Sequence, residues 1–199
     1  MRIGFDIDGV LANFPPAYEK LFVDITGDNN FPPLTSEGPG SWNWPTDLHG
    51  YTAEHTKEAW RRIKKSPDFW VSLDAILPDF IHFMNWLGEH EDDHELYFVT
   101  ARPGTETKWQ TEQWFINRIG VAPTVLISEE KGMIAKALNL DLYVDDKAEN
   151  IKDVEEKSPN TKAYLIDRGY NRHISTKHRI ANLEEFLNIV QSIQTTAVA

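Results

Sequence analysis

The sequence predicts an α/β protein in which a parallel sheet is covered by helices on both faces, with a small, mainly helical cap inserted after the first strand. From residue 77 onward, continuous apolar strands alternate with helical patterns, as in parallel sheets buried on both faces. The chain also opens on a short apolar strand that ends in two acidic residues. Between these regions, residues 28–51 form a long irregular stretch with proline and glycine, which is typical of a lid or an insertion.

The first strand is predicted over residues 2–5 and is followed by Asp6, Asp8 and Gly9. Side chains two residues apart in extended chain point the same way, so the two carboxylates can converge just beyond the strand. Glycine at position 9 lets the backbone turn sharply. Because converging carboxylates repel each other, the chain must supply a cation, a proton or hydrogen bonds at this point.

The cap is predicted over residues 28–73 and the core over residues 1–27 and 74–199. Within the cap, Thr52 begins a helix that ends near residue 65, where serine and proline interrupt it. The remaining elements belong to the core. Core helices are predicted at residues 15–27, 78–87, 105–119, 130–138, 149–156 and 182–194. After the first strand, core strands are predicted at residues 95–99, 124–127, 140–144 and 163–166, and a loose tail at residues 195–199.

Composition excludes several classes of protein. The net charge of −11 disfavours binding to polymeric nucleic acid, which requires many phosphates to be neutralised. No apolar run approaches the roughly 20 residues needed to cross a bilayer. With no cysteine and no signal-peptide pattern at the amino terminus, the sequence predicts a cytoplasmic protein without disulfides. A homodimer is compatible with the sequence.

Polar residues recur where the predicted strands end. Asp6 and Asp8 follow the first strand, Thr100 the second, and Asp145 and Asp146 a later one. In open parallel sheets, ligands bind beyond the carboxyl ends of the strands, where the strand order reverses. Lys131, at the start of a helix, adds an ammonium group to the same edge, and Lys136 on that helix is its competitor.

This ordered set resembles the four motifs of the haloacid dehalogenase (HAD) superfamily of phosphohydrolases. DIDGV at residues 6–10 resembles the first motif, and Thr100 within FVTAR the second. Lys131 resembles the third motif and the acidic pair at residues 145–146 the fourth. The resemblance implies a Rossmann-like HAD core.

The resemblance also implies a mechanism. Asp6 would attack phosphorus and form an aspartyl-phosphate, and Asp8 would protonate the leaving oxygen and later activate water. Mg²⁺ would be held by the Asp6 carboxylate, the Asp8 backbone carbonyl and one acid of the final pair, with Asp146 as the direct ligand and Asp145 in support. Phosphate-binding residues would be Thr100, Ala101, Arg102 and Lys131.

Finer features resemble the 5'(3')-deoxyribonucleotidases. FDIDGVLANF at residues 5–14 is similar to their opening segment, in which the aromatic residue at the position of Phe14 contacts the base. YVDDKAENI at residues 143–151 resembles their fourth motif, and residues 171–173 resemble a later Asn-x-His stretch, in which we interpret His173 as a surface or structural histidine. The implied substrate is a nucleoside monophosphate, with 5'-deoxyribonucleotides favoured. Aromatic side chains that could hold its base are Phe14, Trp42, Trp44 and Trp60.

Three alternatives stay open at this point. The same core could serve a phosphatase of sugar phosphates or of another small phosphometabolite. Receiver domains also combine an acidic cluster, a threonine and a lysine on a parallel sheet, although they lack a cap and are phosphorylated after a later strand. A non-catalytic nucleotide-binding module is the third alternative.

Overall fold

A six-stranded parallel sheet forms the centre of the protein. The computed structural model describes residues 1–28, 34, 38–90 and 92–198, with the backbone alone for residues 196–198. The strands, in chain order, are β1 Arg2–Phe5, β2 Ala12–Asn13, β3 Asp74–Ala75, β4 Glu95–Thr100, β5 Thr124–Ile127, β6 Leu142–Asp145, β7 Lys162–Ile166 and β8 Arg179–Ile180. The large sheet has the order β5-β4-β1-β6-β7-β8, so that β1 lies between β4 and β6.

Helices cover both faces of this sheet, as predicted. The helices are α1 Phe14–Thr26, α2 Trp44–Asp47, α3 Ala53–Lys65, α4 Phe69–Ser72, α5 Asp79–His90, α6 Thr107–Ile119, α7 Lys131–Leu138, α8 Ala148–Lys157 and α9 Leu183–Val198. On one face, the ring of Phe5 contacts Phe83 of α5 and Phe186 of α9, with ring centroids 5.5 and 5.6 Å apart. On the other face, Ala135 of α7 and Val154 of α8 belong to a second buried cluster.

The segment between β2 and β3 lies over one end of the sheet. These two short strands pair antiparallel, with Ala12 opposite Ala75, and no strand was predicted at either position. Helices α1 and α3 pack together through the rings of Tyr18 and Trp60, whose centroids lie 5.3 Å apart. The cap boundaries at residues 28–73 stay a prediction, and residues 29–33 and 35–37 of that segment lie outside the described residues.

Two helices are longer than predicted, and contacts with a distant segment orient a third, α6. Helix α5 continues through Gly88 to His90, and α9 continues to Val198 instead of ending in a loose tail. Helix α6 leaves Trp109 about half exposed and buries Trp114 instead. The indole of Trp114 donates to the carbonyl of Leu73 at 2.7 Å, so contacts with a distant segment decide which face of α6 is buried.

Within the described residues, no helix is both long and apolar enough to cross a membrane.

Candidate active site

Sheet topology places the predicted motifs together. The chain leaves β1 toward β4 on one side and returns to β6 on the other, which makes the carboxyl end of β1 the point where the strand order reverses. Phe5, the last residue of β1, is opposite Phe98 of β4 and Val144 of β6. Asp6 and Asp145 therefore emerge side by side.

A buried acidic cluster forms at this edge. Oxygen atoms of Asp6, Asp145 and Asp146 all lie within 4.8 Å of one another. Burial raises the pKa of Asp6 to about 7; the Lys131 ammonium opposes this rise, and the Asp145 and Asp8 carboxylates add to it. Burial, followed by the Asp145 and Asp6 carboxylates, raises the pKa of Asp146 well above its usual value.

Lys131 is the cation of the cluster, whereas its competitor Lys136 is exposed. The ammonium of Lys131 donates to Oδ1 of Asp6 at 2.7 Å and also to the carbonyl of Val99. The side chain is about 1% exposed, so its charge acts in a site from which water is largely excluded. The next residue, Gly132, allows α7 to start here, since a Cβ at that position would lie 2.1 Å from the carbonyl oxygen of Asp153 on α8.

The two acids of the final pair have different partners. The Asp145 carboxylate accepts from the Tyr143 hydroxyl at 2.7 Å, from the Lys147 backbone at 2.8 Å and from the Asn150 amide. The Asp146 carboxylate accepts from the Tyr170 hydroxyl through Oδ2. Among the described residues no hydrogen bond reaches its Oδ1, so Asp146 keeps more capacity for a metal ion.

Asp8 faces a different partner from the other three acids. Arg102 donates to both oxygens of Asp8, from Nε and Nη2, at 2.8 Å each. The guanidinium also donates to Thr111 at 3.1 Å and lies over the ring of Trp70, 4.9 Å from its centroid. These contacts fix the orientation of Asp8.

The residues predicted to bind phosphate lie close to Asp8. Thr100 is buried at the end of β4, and its hydroxyl oxygen accepts from the backbone of Arg102 at 3.3 Å. Ala101, which lies between them, is exposed. Thr100, Ala101, Arg102 and Lys131 all line one cavity.

That cavity has a volume of about 510 Å³ and lies between the acidic edge and the segment that precedes β3. Its walls include all four aromatic residues predicted to contact substrate, Phe14, Trp42, Trp44 and Trp60. Phe14 and Trp60 are stacked, with centroids 5.8 Å apart, whereas Trp44 is buried against the edge of Tyr18. Trp42 is about half exposed and meets the ring of Tyr170 edge-on at 5.2 Å.

The sequence reasoning missed two residues of the loop that follows β7, Arg168 and Tyr170. Arg168 donates to the carbonyl of Gly9 at 2.7 Å and to Asp79 at 2.8 Å, which ties the turn after β1 to α5. Asn171, from the predicted Asn-x-His stretch, donates to the backbone carbonyl of Asp146 at 2.7 Å, whereas His173 is exposed. The missed roles of Arg168 and Tyr170 carried no sequence signal, because neither residue lies in a pattern that implies chemistry.

With the geometry described, comparison with known proteins identifies the family. The family model described as "5' nucleotidase, deoxy (Pyrimidine), cytosolic type C protein" matches residues 1–196. The chain belongs to this family. Family membership confirms the resemblance to the 5'-nucleotidases that the sequence motifs indicated.

One curated relative is similar to part of the chain. A curated protein of Oceanobacillus iheyensis, provisionally named a nucleotidase, is 36% identical over 99 residues. That match covers 47% of this chain and 51% of the relative, so the chain spans about half the length of the curated relative it matches.

Solved structures show the HAD fold. A HAD-superfamily hydrolase from Ehrlichia chaffeensis has a TM-score of 0.55 and 11% identity, and 96% of each chain is covered. A protein from Thermotoga maritima, provisionally named a β-phosphoglucomutase, has a TM-score of 0.59 and 12% identity over 96% of this chain and 99% of its own. At such low identity, these similarities show the fold alone.

The acidic cluster of this nucleotidase-family chain suits a hard divalent cation. Mg²⁺ prefers oxygen ligands and keeps several waters, and the cluster offers three carboxylates beside an open cavity. The donor set holds no nitrogen or sulfur ligand that would favour a softer metal.

Proposed function

We propose that this protein is a Mg²⁺-dependent 5'-nucleotidase that hydrolyses 5'-deoxyribonucleoside monophosphates through an aspartyl-phosphate on Asp6. The observation that carries the proposal is the buried cluster of Asp6, Asp145 and Asp146, with the Lys131 ammonium on Asp6, at the floor of an aromatic-walled cavity. Family membership supports the reaction class.

Asp6 and Asp146 would hold the metal through their carboxylates and Asp8 through its backbone carbonyl, while Asp145 supports them through its own hydrogen bonds. When bound, Mg²⁺ supplies positive charge that keeps Asp6 and Asp146 ionised and neutralises the transferring phosphoryl group. The raised pKa of Asp6 supports this assignment, because a carboxyl group with a pKa of about 7 is only partly ionised at neutral pH and a second cation would favour its ionised form.

In the first step, a carboxylate oxygen of Asp6 forms a bond to phosphorus as the bond from phosphorus to the ester oxygen breaks. The proton of the Asp8 carboxyl group moves to the leaving oxygen, which departs as the nucleoside hydroxyl. Lys131 and the hydroxyl of Thr100 stabilise charge on the phosphoryl oxygens. Arg102 holds Asp8 toward the cavity through its two hydrogen bonds.

In the second step, water attacks phosphorus and the bond from phosphorus to Asp6 breaks. The Asp8 carboxylate takes the proton of that water, so inorganic phosphate leaves and both acids return to their starting states. The sum is one ester bond broken and one water consumed.

The cavity supports a nucleoside as the leaving group. Its volume of about 510 Å³ falls in the range of small-molecule sites, and its walls combine aromatic rings with the charged residues of the acidic edge. Stacking on such rings holds a base without needing a specific hydrogen-bond pattern. The description of the family favours a deoxy sugar, a pyrimidine base and a cytoplasmic location.

The decisive experiment measures phosphate release from a panel of ribo- and deoxyribonucleotides and sugar phosphates, with Mg²⁺ and with chelator. We expect turnover to need Mg²⁺ and to be fastest with 5'-deoxyribonucleotides. Asp6→Asn should abolish turnover, whereas Asp24→Asn, an exposed acid on α1, should leave it unchanged.

Faster turnover of sugar phosphates than of nucleotides would support the sugar-phosphatase alternative instead. Equal rates for wild type and Asp6→Asn would refute the covalent mechanism. Absence of turnover in every condition, with retained nucleotide binding, would favour the non-catalytic module.

A further inference from the structure

Tyr170 lies between the acidic cluster and the cavity wall. Its hydroxyl donates to Oδ2 of Asp146, and its ring meets the edge of Trp42 at 5.2 Å. The residue is about 6% exposed, so water competes little for the Asp146 carboxylate. One side chain therefore contacts both an acid of the cluster and an aromatic residue of the cavity.

Gly9 leaves space for the hydrogen bond between Tyr170 and Asp146. Its φ of +81° already favours glycine, and a Cβ there would lie 2.0 Å from Oδ2 of Asp146 and 2.7 Å from the Tyr170 hydroxyl oxygen. The turn after β1 thus leaves the space in which the tyrosine and the carboxylate meet. The pair is built into the fold and does not depend on a mobile surface side chain.

The two acids of the final pair differ in how redundantly they are held. Asp145 accepts from three residues, so the loss of the Tyr143 hydroxyl still leaves the Lys147 backbone and the Asn150 amide. Within the described residues, the Asp146 carboxylate accepts from Tyr170 alone. Removing one phenolic hydroxyl should therefore affect Asp146 far more than Asp145.

We propose that Tyr170 is a positioning residue that turns the Asp146 carboxylate so that Oδ1 faces the metal ion. This proposal rests on the proposed function, because it takes Asp146 as a metal ligand. Hydrogen-bond partners of metal ligands fix ligand orientation, and their loss typically weakens metal affinity 10- to 100-fold. Through its ring, Tyr170 also holds Trp42 at the cavity wall.

The test is calorimetric titration of the metal-stripped full chain with MgCl₂ alone. We expect Tyr170→Phe to raise the Kd for Mg²⁺ about tenfold or more while keeping the ring against Trp42. Tyr143→Phe should change that Kd less than threefold. Tyr97→Phe is the matched control, because it removes a phenol–carboxylate hydrogen bond of 2.7 Å to Glu95 at an exposed site.

Two measurements separate positioning from a general loss of structure. Thermal unfolding in EDTA should give a similar Tm for all four proteins, and steady-state kinetics of Tyr170→Phe should show a raised KM for Mg²⁺ with kcat largely restored at saturating metal.

Wild-type affinity for Mg²⁺ in Tyr170→Phe would refute the positioning role while leaving the proposed function intact. Equal weakening in Tyr97→Phe would also refute it. If the wild-type chain binds no Mg²⁺, the proposed metal site fails, and the role of Tyr170 fails with it.

Discussion

Replacing Lys131 by methionine keeps most of the side-chain length and removes its charge from Asp6. The ammonium and the carboxylate lie 2.7 Å apart, and the lysine is about 1% exposed. At an effective dielectric of about 20, two unit charges at that distance attract by roughly 6 kcal/mol. The cost of removing the ammonium group is smaller than this attraction energy, because the Asp6 carboxyl group can take up a proton instead of staying charged.

Two effects then lower activity together. Removing one preorganised electrostatic group typically lowers kcat by about 10²- to 10³-fold. In addition, the pKa of Asp6, which burial already raises to about 7, rises further without the lysine, so less of the nucleophile is ionised at neutral pH. We therefore expect phosphate release at pH 7 to fall at least 10²-fold.

The assay is steady-state phosphate release from a 5'-deoxyribonucleotide at a fixed Mg²⁺ concentration below saturation, at pH 7 and at pH 9. Part of the activity of Lys131→Met should return at pH 9, where Asp6 is more fully ionised. Lys136→Met is the matched control, because Lys136 lies exposed on the same helix, and it should stay within about twofold of wild type.

Near-wild-type turnover by Lys131→Met would refute the reasoning about Lys131. A deficit of the same size at pH 7 and at pH 9 would refute the contribution from Asp6 ionisation and leave only the direct effect on the phosphoryl group.

Three further predictions test the metal, the turn and the cap. The pKa of Asp6 is raised from 3.8 to about 7, so without metal this carboxyl group lowers stability as pH rises through that window, by on the order of 4 kcal/mol. Mg²⁺ binds the ionised form, so the increase in Tm on adding Mg²⁺ should be larger at pH 8 than at pH 5; equal increases would contradict this. Gly9→Ala places a side chain at a φ of +81° and a Cβ 2.0 Å from Asp146. Denaturant unfolding should therefore show that the free energy of unfolding falls by about 1–3 kcal/mol, and calorimetry should show weaker Mg²⁺ binding. Gly120→Ala is the control, because Gly120 has a φ of +73° with open space around it; this variant should be destabilised by backbone strain but should bind Mg²⁺ like wild type. Equal Mg²⁺ affinities in both variants would contradict the proposed contact of a Cβ at position 9 with Asp146. Trp60→Ala should raise the KM for a deoxynucleotide about tenfold, as expected for one lost stacking contact, without raising the KM for a sugar phosphate. Trp109→Ala, at an exposed position on α6, is the control and should change neither KM. An equal rise in KM for both substrates with Trp60→Ala would contradict base stacking.

Much of the candidate site could be predicted because its residues stand at the ends of strands. An apolar run followed by acids marks Asp6 and Asp8, and the same pattern marks Asp145 and Asp146. Parallel strands bring their carboxyl ends to one edge, so sequence order alone predicts that these groups meet. Lys131 was predicted beside its competitor Lys136, and the hydrogen bond to Asp6 distinguishes the two.

The predicted phosphate contact of Arg102 stays a prediction, and its hydrogen bonds to Asp8 were not foreseen. Side-chain direction on a buried loop depends on neighbours such as Trp70, which comes from a distant segment. The orientation of α6 also depends on another segment, since the indole of Trp114 donates to the carbonyl of Leu73.

The sequence by itself determined which chemical groups this protein assembles, because strand periodicity and strand order depend on local pattern and on chain direction. Only the tertiary structure decided how those groups are paired. Asp8 pairs with Arg102, and Asp146 pairs with Tyr170. Gly9 leaves the space in which Asp146 and Tyr170 meet, although it lies more than 100 positions before them in the chain. Such pairings arise when loops from separate strands pack at one edge, and no local propensity encodes them.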